Sequence, residues 1–368
     1  MSGNAMHALR VRAGPAALRH LRSHGLRAQD IAVIPAAAGG PKGLILQALD
    51  QWLFGSWLAG APRERALVGA SIGAWRMTAA CHRDPVSAFK RLGDLYCERQ
   101  RYPQRPSPQH VSEVCRRILQ EFFDGRQQEF LNHPNHRLHV ITARSRALSR
   151  ASAGSRRHAA VFIAAMLANT ASRSRLANHF DRIVIGDRRD PVEWLATPFD
   201  AFATHFAPLS ADNLLDTLLA SGTLPLVMAP VVDIAGAPPG LYWDGGMIDY
   251  HLALPYTRVA DRPENGLVLY PHFNDHIVPG WFDKPLRWRR SGAHRQWLDN
   301  MILLSPSPAF VASLPRGKLP DRKDFSFHGL NHDGRIAHWR KAIAEGQRLR
   351  DALAALVDCT DFDRVLPL

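Results

Sequence analysis

"LVGASIGAW", residues Leu67 to Trp75, reads as the end of an apolar strand, a turn Gly69-Ala70-Ser71-Ile72-Gly73, and the start of an apolar helix. Ala66 to Gly69 is the strand and Ile72 to Cys81 the helix, which Asp84-Pro85 ends or kinks. A serine in G-x-S-x-G between strand and helix is forced into strained backbone geometry that exposes its hydroxyl, and the flanking glycines remove side chains that would collide across the turn. The pentapeptide alone is moderately specific. Its placement makes Ser71 a candidate nucleophile.

Upstream lies "AAAGGPKGLIL", Ala36 to Leu46, between a strand over Ile31 to Pro35 and a helix expected over Leu44 to Leu58. It is not a P-loop, because Lys42 is followed by Gly43 and Leu44 rather than Ser or Thr, and no G-x-G-x-x-G runs through Gly39, Gly40 and Gly43. Backbone amides at such a turn suit a transient anion instead. If Ser71 attacks an ester carbonyl, the tetrahedral oxyanion needs preorganised N–H donors, and Gly39 and Gly40 let the backbone approach closely. Lys42 is expected to be solvated or structural, with added positive potential at the site as the sharper role.

Serine at its free pKa needs a base. Downstream, "GLYWDGGMIDY", Gly240 to Tyr250, places Asp244 before Gly245-Gly246 after a strand-like approach, a tight turn that can push the carboxylate into a cleft. On spacing alone a turn-forming Asp-Gly is the commoner reading. Asp249 and Asp233 are weaker candidates.

Strand-like and helix-like segments alternate throughout, the signature of a sheet with helices on its faces. "RQRYPQRPSPQH", Arg99 to His110, is an exposed loop. Val111 to Phe123 is an amphipathic helix stopped by Asp124-Gly125, Leu138 to Thr142 a strand, Ala159 to Ala168 a buried helix, and Arg182 to Ile185 a strand. Asn213 to Ala220 is a helix with Ser210 as N-cap, and Leu267 to Tyr270 and Met301 to Leu304 are strands. Ile336, Trp339, Ile343, Leu349, Leu353 and Leu356 predict a closing amphipathic helix, packed on the core or against a second copy. Without repeats or low-complexity linkers, the chain reads as one domain, with residues 99–157 as a candidate cap or insertion and 296–368 as a C-terminal extension that has no matched motif.

The 368 residues are 46% hydrophobic and 21% charged, a globular composition, with a net charge of +13 that favours an anionic partner such as a phospholipid surface. Cys81, Cys97, Cys115 and Cys359 have neither disulfide-framework nor zinc spacing, and the first 26 residues lack a signal-peptide apolar core. Ala159 to Ala168 is too short to span a bilayer. A cytoplasmic location is expected, with peripheral membrane contact as a further option, no cofactor or metal, and no nucleic acid, since no binding motif accompanies the charge.

The Gly-Gly-x-Lys-Gly turn, G-x-S-x-G and Asp-Gly-Gly occur in an order that resembles the patatin-like phospholipase family. "ASGTLPLVMAPV", Ala220 to Val231, is similar to the Ala-Ser-x-x-x-Pro segment those proteins carry before Asp-Gly-Gly/Ala. The resemblance runs from about Ile31 to Pro255. It implies a three-layer α/β/α sandwich around a mostly parallel sheet, and a Ser-Asp dyad that hydrolyses lipid acyl esters without histidine. Ser71 is then the nucleophile, Asp244 the base, and Gly39 and Gly40 the oxyanion donors, with Lys42, Gly43, Gly69, Gly73, Gly245 and Gly246 supporting the motifs. The sequence departs from the family pattern where Ala37 and Ala38 replace Asp and the first Gly of the usual turn, and where His251 and Pro255 stand after Asp-Gly-Gly in place of Asn before Pro.

Two other readings compete. A Ser-His-Asp hydrolase would take its base from His328 or His332 in "FSFHGLNHDGR". A catalytically silent lipid-binding protein would use "GWFDKPLRWRRSGAHRQWL", Gly280 to Leu298, which mixes Trp281, Phe282, Trp288 and Trp297 with Lys284, Arg287, Arg289, Arg290 and Arg295. The plainer expectation for that stretch is an amphipathic helix with its tryptophans in the core.

Overall fold

The computed structural model describes residues 8–148, 155–259, 266–289, 295–358 and 361–368. Arg290 and Cys359 lie outside the described residues. Eleven strands among the described residues join one mixed sheet: β1 (Leu9–Ala13), β2 (Ile31–Ala36), β3 (Arg65–Ala70), β4 (His136–Ser145), β5 (Phe180–Gly186), β6 (Thr204–Pro208), β7 (Val231–Val232), β8 (Leu241–Asp244), β9 (Leu267–Pro271), β10 (Met301–Pro306) and β11 (Leu366–Pro367). The spatial order is β11-β1-β10-β9-β2-β3-β4-β5-β6, and β10-β9-β2-β3-β4 form an unbroken parallel run. With helices on both faces, this is a three-layer α/β/α sandwich. The central strands are buried along nearly their whole length, as expected of parallel strands covered on both sides.

The register around β4 positions the site. β3 runs parallel to β4 and ends with Ala70 opposite Ile141. β5 covers the other edge of β4 from His139 to Ser145, so β8, antiparallel to β4 with Asp244 opposite Thr142, continues on the edge that β3 vacates. The ends of β3 and β8 therefore meet head to head. Residues 99–157 contribute β4 itself to the middle of this sheet.

Several elements differ from their sequence reading. The segment after the glycine turn begins as a 3-10 helix, Gly40–Leu46, before an α-helix over Gln47–Trp52 and a wider π turn over Leu53–Trp57, because Pro41 and the close packing of Gly43 on Arg76 and Ile72 tighten the entry. The closing helix is two, His332–Glu345 and Gln347–Val357, broken at Gly346, where a Cβ would lie 2.5 Å from the Ile45 carbonyl oxygen. The helix over Ser155–Ala171 is not buried on all sides: Phe162 and Ala165 pack inward, while Ile163, Met166 and Leu167 are 54%, 47% and 64% exposed. Ten consecutive apolar residues carry no polar period to reveal which face meets water. The stretch from Gly280 is a series of short 3-10 turns rather than one helix, with Phe282 buried but Trp288 70% exposed. The Ser210 cap holds as a capping box on Ala211–Gly222. Among the described residues no helix is long and apolar enough to cross a membrane.

Candidate active site

Ser71 sits at the end of β3 with φ 56°, ψ −133°, a backbone state that L side chains rarely adopt, and caps the helix Ile72–Ala80. The flanking glycines are sterically required. A Cβ on Gly73 would lie 1.9 Å from the Ala36 carbonyl oxygen, and one on Gly69 would lie 2.5 Å from the Ala74 Cα. The turn therefore presses the helix against the end of β2 and points the hydroxyl toward β8. Ser71 Oγ donates to Asp244 Oδ2 at 2.7 Å, and both side chains are buried.

Asp244 is held from two further directions. Its Oδ1 accepts from the Gly246 amide at 2.7 Å, and its own amide donates to the Thr223 carbonyl at 2.8 Å. Gly245 can have no side chain, since a Cβ would meet the Ile141 oxygen at 2.1 Å; on Gly246 it would meet the Ala38 Cβ at 2.5 Å. Burial pushes the Asp244 carboxyl above the usual carboxylate range, opposed by the Arg322 charge, the hydrogen bonds from Ser71 and Gly246, and the Lys284 charge. A carboxylate with raised basicity, bonded to a serine hydroxyl, can accept its proton.

Ser221 completes the support. Its hydroxyl donates to the Ile141 carbonyl at 2.7 Å and accepts from the Ser71 amide at 2.8 Å, tying the strained turn to β4. The Ala-Ser of "ASGTLP" was the available signal for it.

Gly39 and Gly40 form the neighbouring turn beyond β2. A Cβ on Gly39 would sit 2.4 Å from the Phe273 ring, and Gly40 has φ 57° with the Arg322 Nε 3.2 Å from where its Cβ would be. Two cavities open here. One, of about 360 Å³, is lined by Ser71 and Gly40 together with apolar groups from Ile72, Trp75, Val111, Leu224, Val227 and Met228. The other, of about 180 Å³, is lined by Gly39, Asp244, Gly246, Tyr250 and Trp281 together with Lys42, Lys284 and Arg322. Leu224 and Arg322 belong to both walls. Lys42 is half-buried at the cavity wall, and burial lowers its pKa.

The remaining candidates lie elsewhere. Asp249 is buried against Arg182, with contacts of 2.6 and 3.0 Å, and belongs to a structural ion-pair network. Asp233 accepts from the Gly240 amide in the β7–β8 turn at 2.7 Å. His328 contacts His338 at 3.3 Å, His332 begins the helix His332–Glu345, and neither lines the two cavities. Among the described residues no three metal-ligating side chains converge.

Sequence reasoning missed Lys284 and Arg322 as site residues. Arg322 comes from the C-terminal region, where the buried Asp324 carboxylate organises its loop by accepting from Arg316 at 2.8 Å, the Asp321 amide at 2.9 Å and Trp339 Nε1 at 2.9 Å. No local motif marks such a loop.

No family model and no curated protein matches the sequence. Among solved structures the chain is similar to VipD from Legionella pneumophila, at 12% identity and a TM-score of 0.31, over 74% of this chain and 54% of that one. The chain thus spans about half the length of that structure, and a similarity this low bears on neither family nor activity.

Proposed function

We propose that the chain is a serine acyl hydrolase of the patatin-like phospholipase type, acting on lipid acyl esters. The observation that carries this is the 2.7 Å hydrogen bond from Ser71, at a positive-φ elbow, to a buried aspartate. In this reading Asp244 accepts the Ser71 proton as Oγ attacks the ester carbonyl. The amides of Gly39 and Gly40 hold the oxyanion. Collapse breaks the bond to the alcohol, which leaves with the proton from Asp244, and a water deprotonated by Asp244 then releases the fatty acid from Ser71. Ser71 and Asp244 do this without a histidine, and none of the described histidines lines either cavity.

The larger cavity suits an acyl chain in size and lining. Peripheral contact with an anionic lipid surface belongs to the same reading, supported by the exposed Ile163, Leu167 and Trp288 beside Arg287 and Arg289.

Fluorophosphonate labelling with peptide mapping tests the chemistry, alongside hydrolysis of p-nitrophenyl esters of several lengths. Ser71 should be labelled, and Asp244→Ala should cut both labelling and turnover by about 10³-fold or more. An unlabelled Ser71 in a protein that cleaves no ester removes the proposal.

A further inference from the structure

Taking the hydrolase reading of Ser71 and Asp244 as its base, we infer that the apolar cavity ends in a hydrogen-bonding subsite, formed by Gln100, Tyr102 and Cys115, for a hydroxyl carried on the acyl chain far from the ester. The substrate is then an ester of a hydroxylated fatty acid rather than of a plain one.

The polar groups stand apart from the serine. Ile72 follows Ser71 in the chain, Gly222 follows the Ser221 that holds the Ser71 amide, and Leu224 follows the Thr223 whose carbonyl holds the Asp244 amide. These neighbours of the dyad are apolar. Trp75 lies about one helical turn beyond Ser71, and the Tyr96 ring stands edge-on to it with centroids 6.1 Å apart. Gln100 and Tyr102 follow Tyr96, just past the end of the helix Pro85–Glu98, and Cys115 reaches them from the helix Pro108–Phe123. A chain leaving Ser71 therefore passes carbon walls before it meets oxygen, nitrogen and sulfur.

The subsite is built from fixed parts. Gln100 is only 6% exposed; its Nε2 donates to the Tyr96 carbonyl at 2.8 Å, and its backbone carbonyl accepts from the buried Arg335 at 2.6 Å. The Tyr102 ring packs on Phe325 with centroids 5.6 Å apart. The Tyr102 hydroxyl donates to Gln100 Oε1 at 3.3 Å and shares a hydrogen bond with the Cys115 thiol. The first of these is longer than the roughly 2.5–3.0 Å of a well-made O–H···O bond. An amide oxygen and a phenol carry two lone pairs each, so an incoming hydroxyl can donate to this pair and accept the Tyr102 proton. Burial raises the pKa of both Tyr102 and Cys115, which keeps the cluster neutral. Arg322 lies toward Gly40, so a carboxylate at the far end would be buried among neutral groups. A hydroxyl there exchanges water for partners, whereas against carbon alone it would lose water and gain none.

The test uses 4-nitrophenyl octanoate, decanoate and dodecanoate with their ω-hydroxy counterparts, together with the 3-hydroxydecanoate and the mono-4-nitrophenyl ester of decanedioic acid. At one of the three lengths wild type should cleave the ω-hydroxy ester with higher kcat/KM than the plain one. Tyr102→Phe should lower that ratio about tenfold. Both esters are read on the same protein, so a loss of folded fraction cancels. A wild-type ratio of one or less at every length, a ratio unchanged in Tyr102→Phe, or preference for the 3-hydroxy or the decanedioate ester overturns the inference.

Calorimetric titration of decanoate and of 10-hydroxydecanoate into Ser71→Ala protein separates the two proposals, since it needs no turnover. Tighter binding of the hydroxy acid, with the advantage lost when Tyr102→Phe is added, supports the subsite even if no ester is cleaved, an outcome that removes only the hydrolase reading. Equal affinities for the two acids overturn the subsite, and ester cleavage by wild type then leaves the hydrolase standing.

Discussion

Ser71 pays for its position with a backbone state that costs on the order of 1–3 kcal/mol, and its surroundings hold it there. Gly69 and Gly73 make room, and the Ser221 hydroxyl takes its amide. The two glycines were legible in G-x-S-x-G, but only the Gly69 collision, with Gly73 and Ala74, is local in sequence; Gly73 makes room for Ala36, and Ser221 lies 150 residues away. The basicity of Asp244 was not legible, since it depends on burial and on Arg322, 78 positions later in the chain by residue number. It makes a pH prediction. In the proposed mechanism Asp244 must be a carboxylate to accept the serine proton, so kcat/KM should fall as pH drops through a pKa above the ordinary carboxylate range. Arg322 favours the charged form, so Arg322→Met should move that acid limb to higher pH. A limb that stays in place in the variant's pH–rate profile rules out Asp244 as the titrating base.

At the scale of elements, the decisive event is the meeting of β3 and β8 on one edge of β4. Ala70 opposite Ile141 and Asp244 opposite Thr142 are successive rungs, so two turns about 170 residues apart close on one another. Each turn was readable from its glycines; that they share an edge was decided by β5 occupying the other. The helix Pro108–Phe123 supplies Val111 and Cys115 to the apolar cavity. Burial pushes the Cys115 thiol up to about 11, so it lines the wall as a neutral group. Filling that space with Cys115→Trp should shift the optimum of a p-nitrophenyl ester series to shorter acyl chains. If the chain-length profile does not change, the acyl group lies elsewhere.

For the whole molecule, the +13 charge and the apolar face of the helix Ser155–Ala171 bear on where the substrate is met. Asn169 and the Thr170 carbonyl join this helix to Asp283 and Arg289, so its exposed side neighbours the turn that carries Trp281 to the cavity. Co-sedimentation with vesicles containing an anionic phospholipid should retain the protein at low salt, and the Ile163→Asp/Leu167→Asp pair should weaken retention about tenfold or more. Equal retention of wild type and variant would assign binding to charge alone. The sequence reading buried this helix because an unbroken apolar run looks the same whether it is covered on one face or on all.

By itself the sequence determined the alternation of strands and helices, the glycine turns and the elbow at Ser71, and it offered Asp244 as one acid among three, singled out by the family resemblance. The pattern of elements and turns is written in periodicity and turn chemistry, which act between residues a few positions apart, although the contacts that require Gly73 and Gly245 come from Ala36 and Ile141. Only the tertiary structure decided that Asp249 would be neutralised by Arg182, that Arg322 would come from a loop without a motif, and that Lys284 would face the cavity. Charge pairing and burial are properties of neighbours in space, and the chain brings those neighbours together only once the sheet has formed.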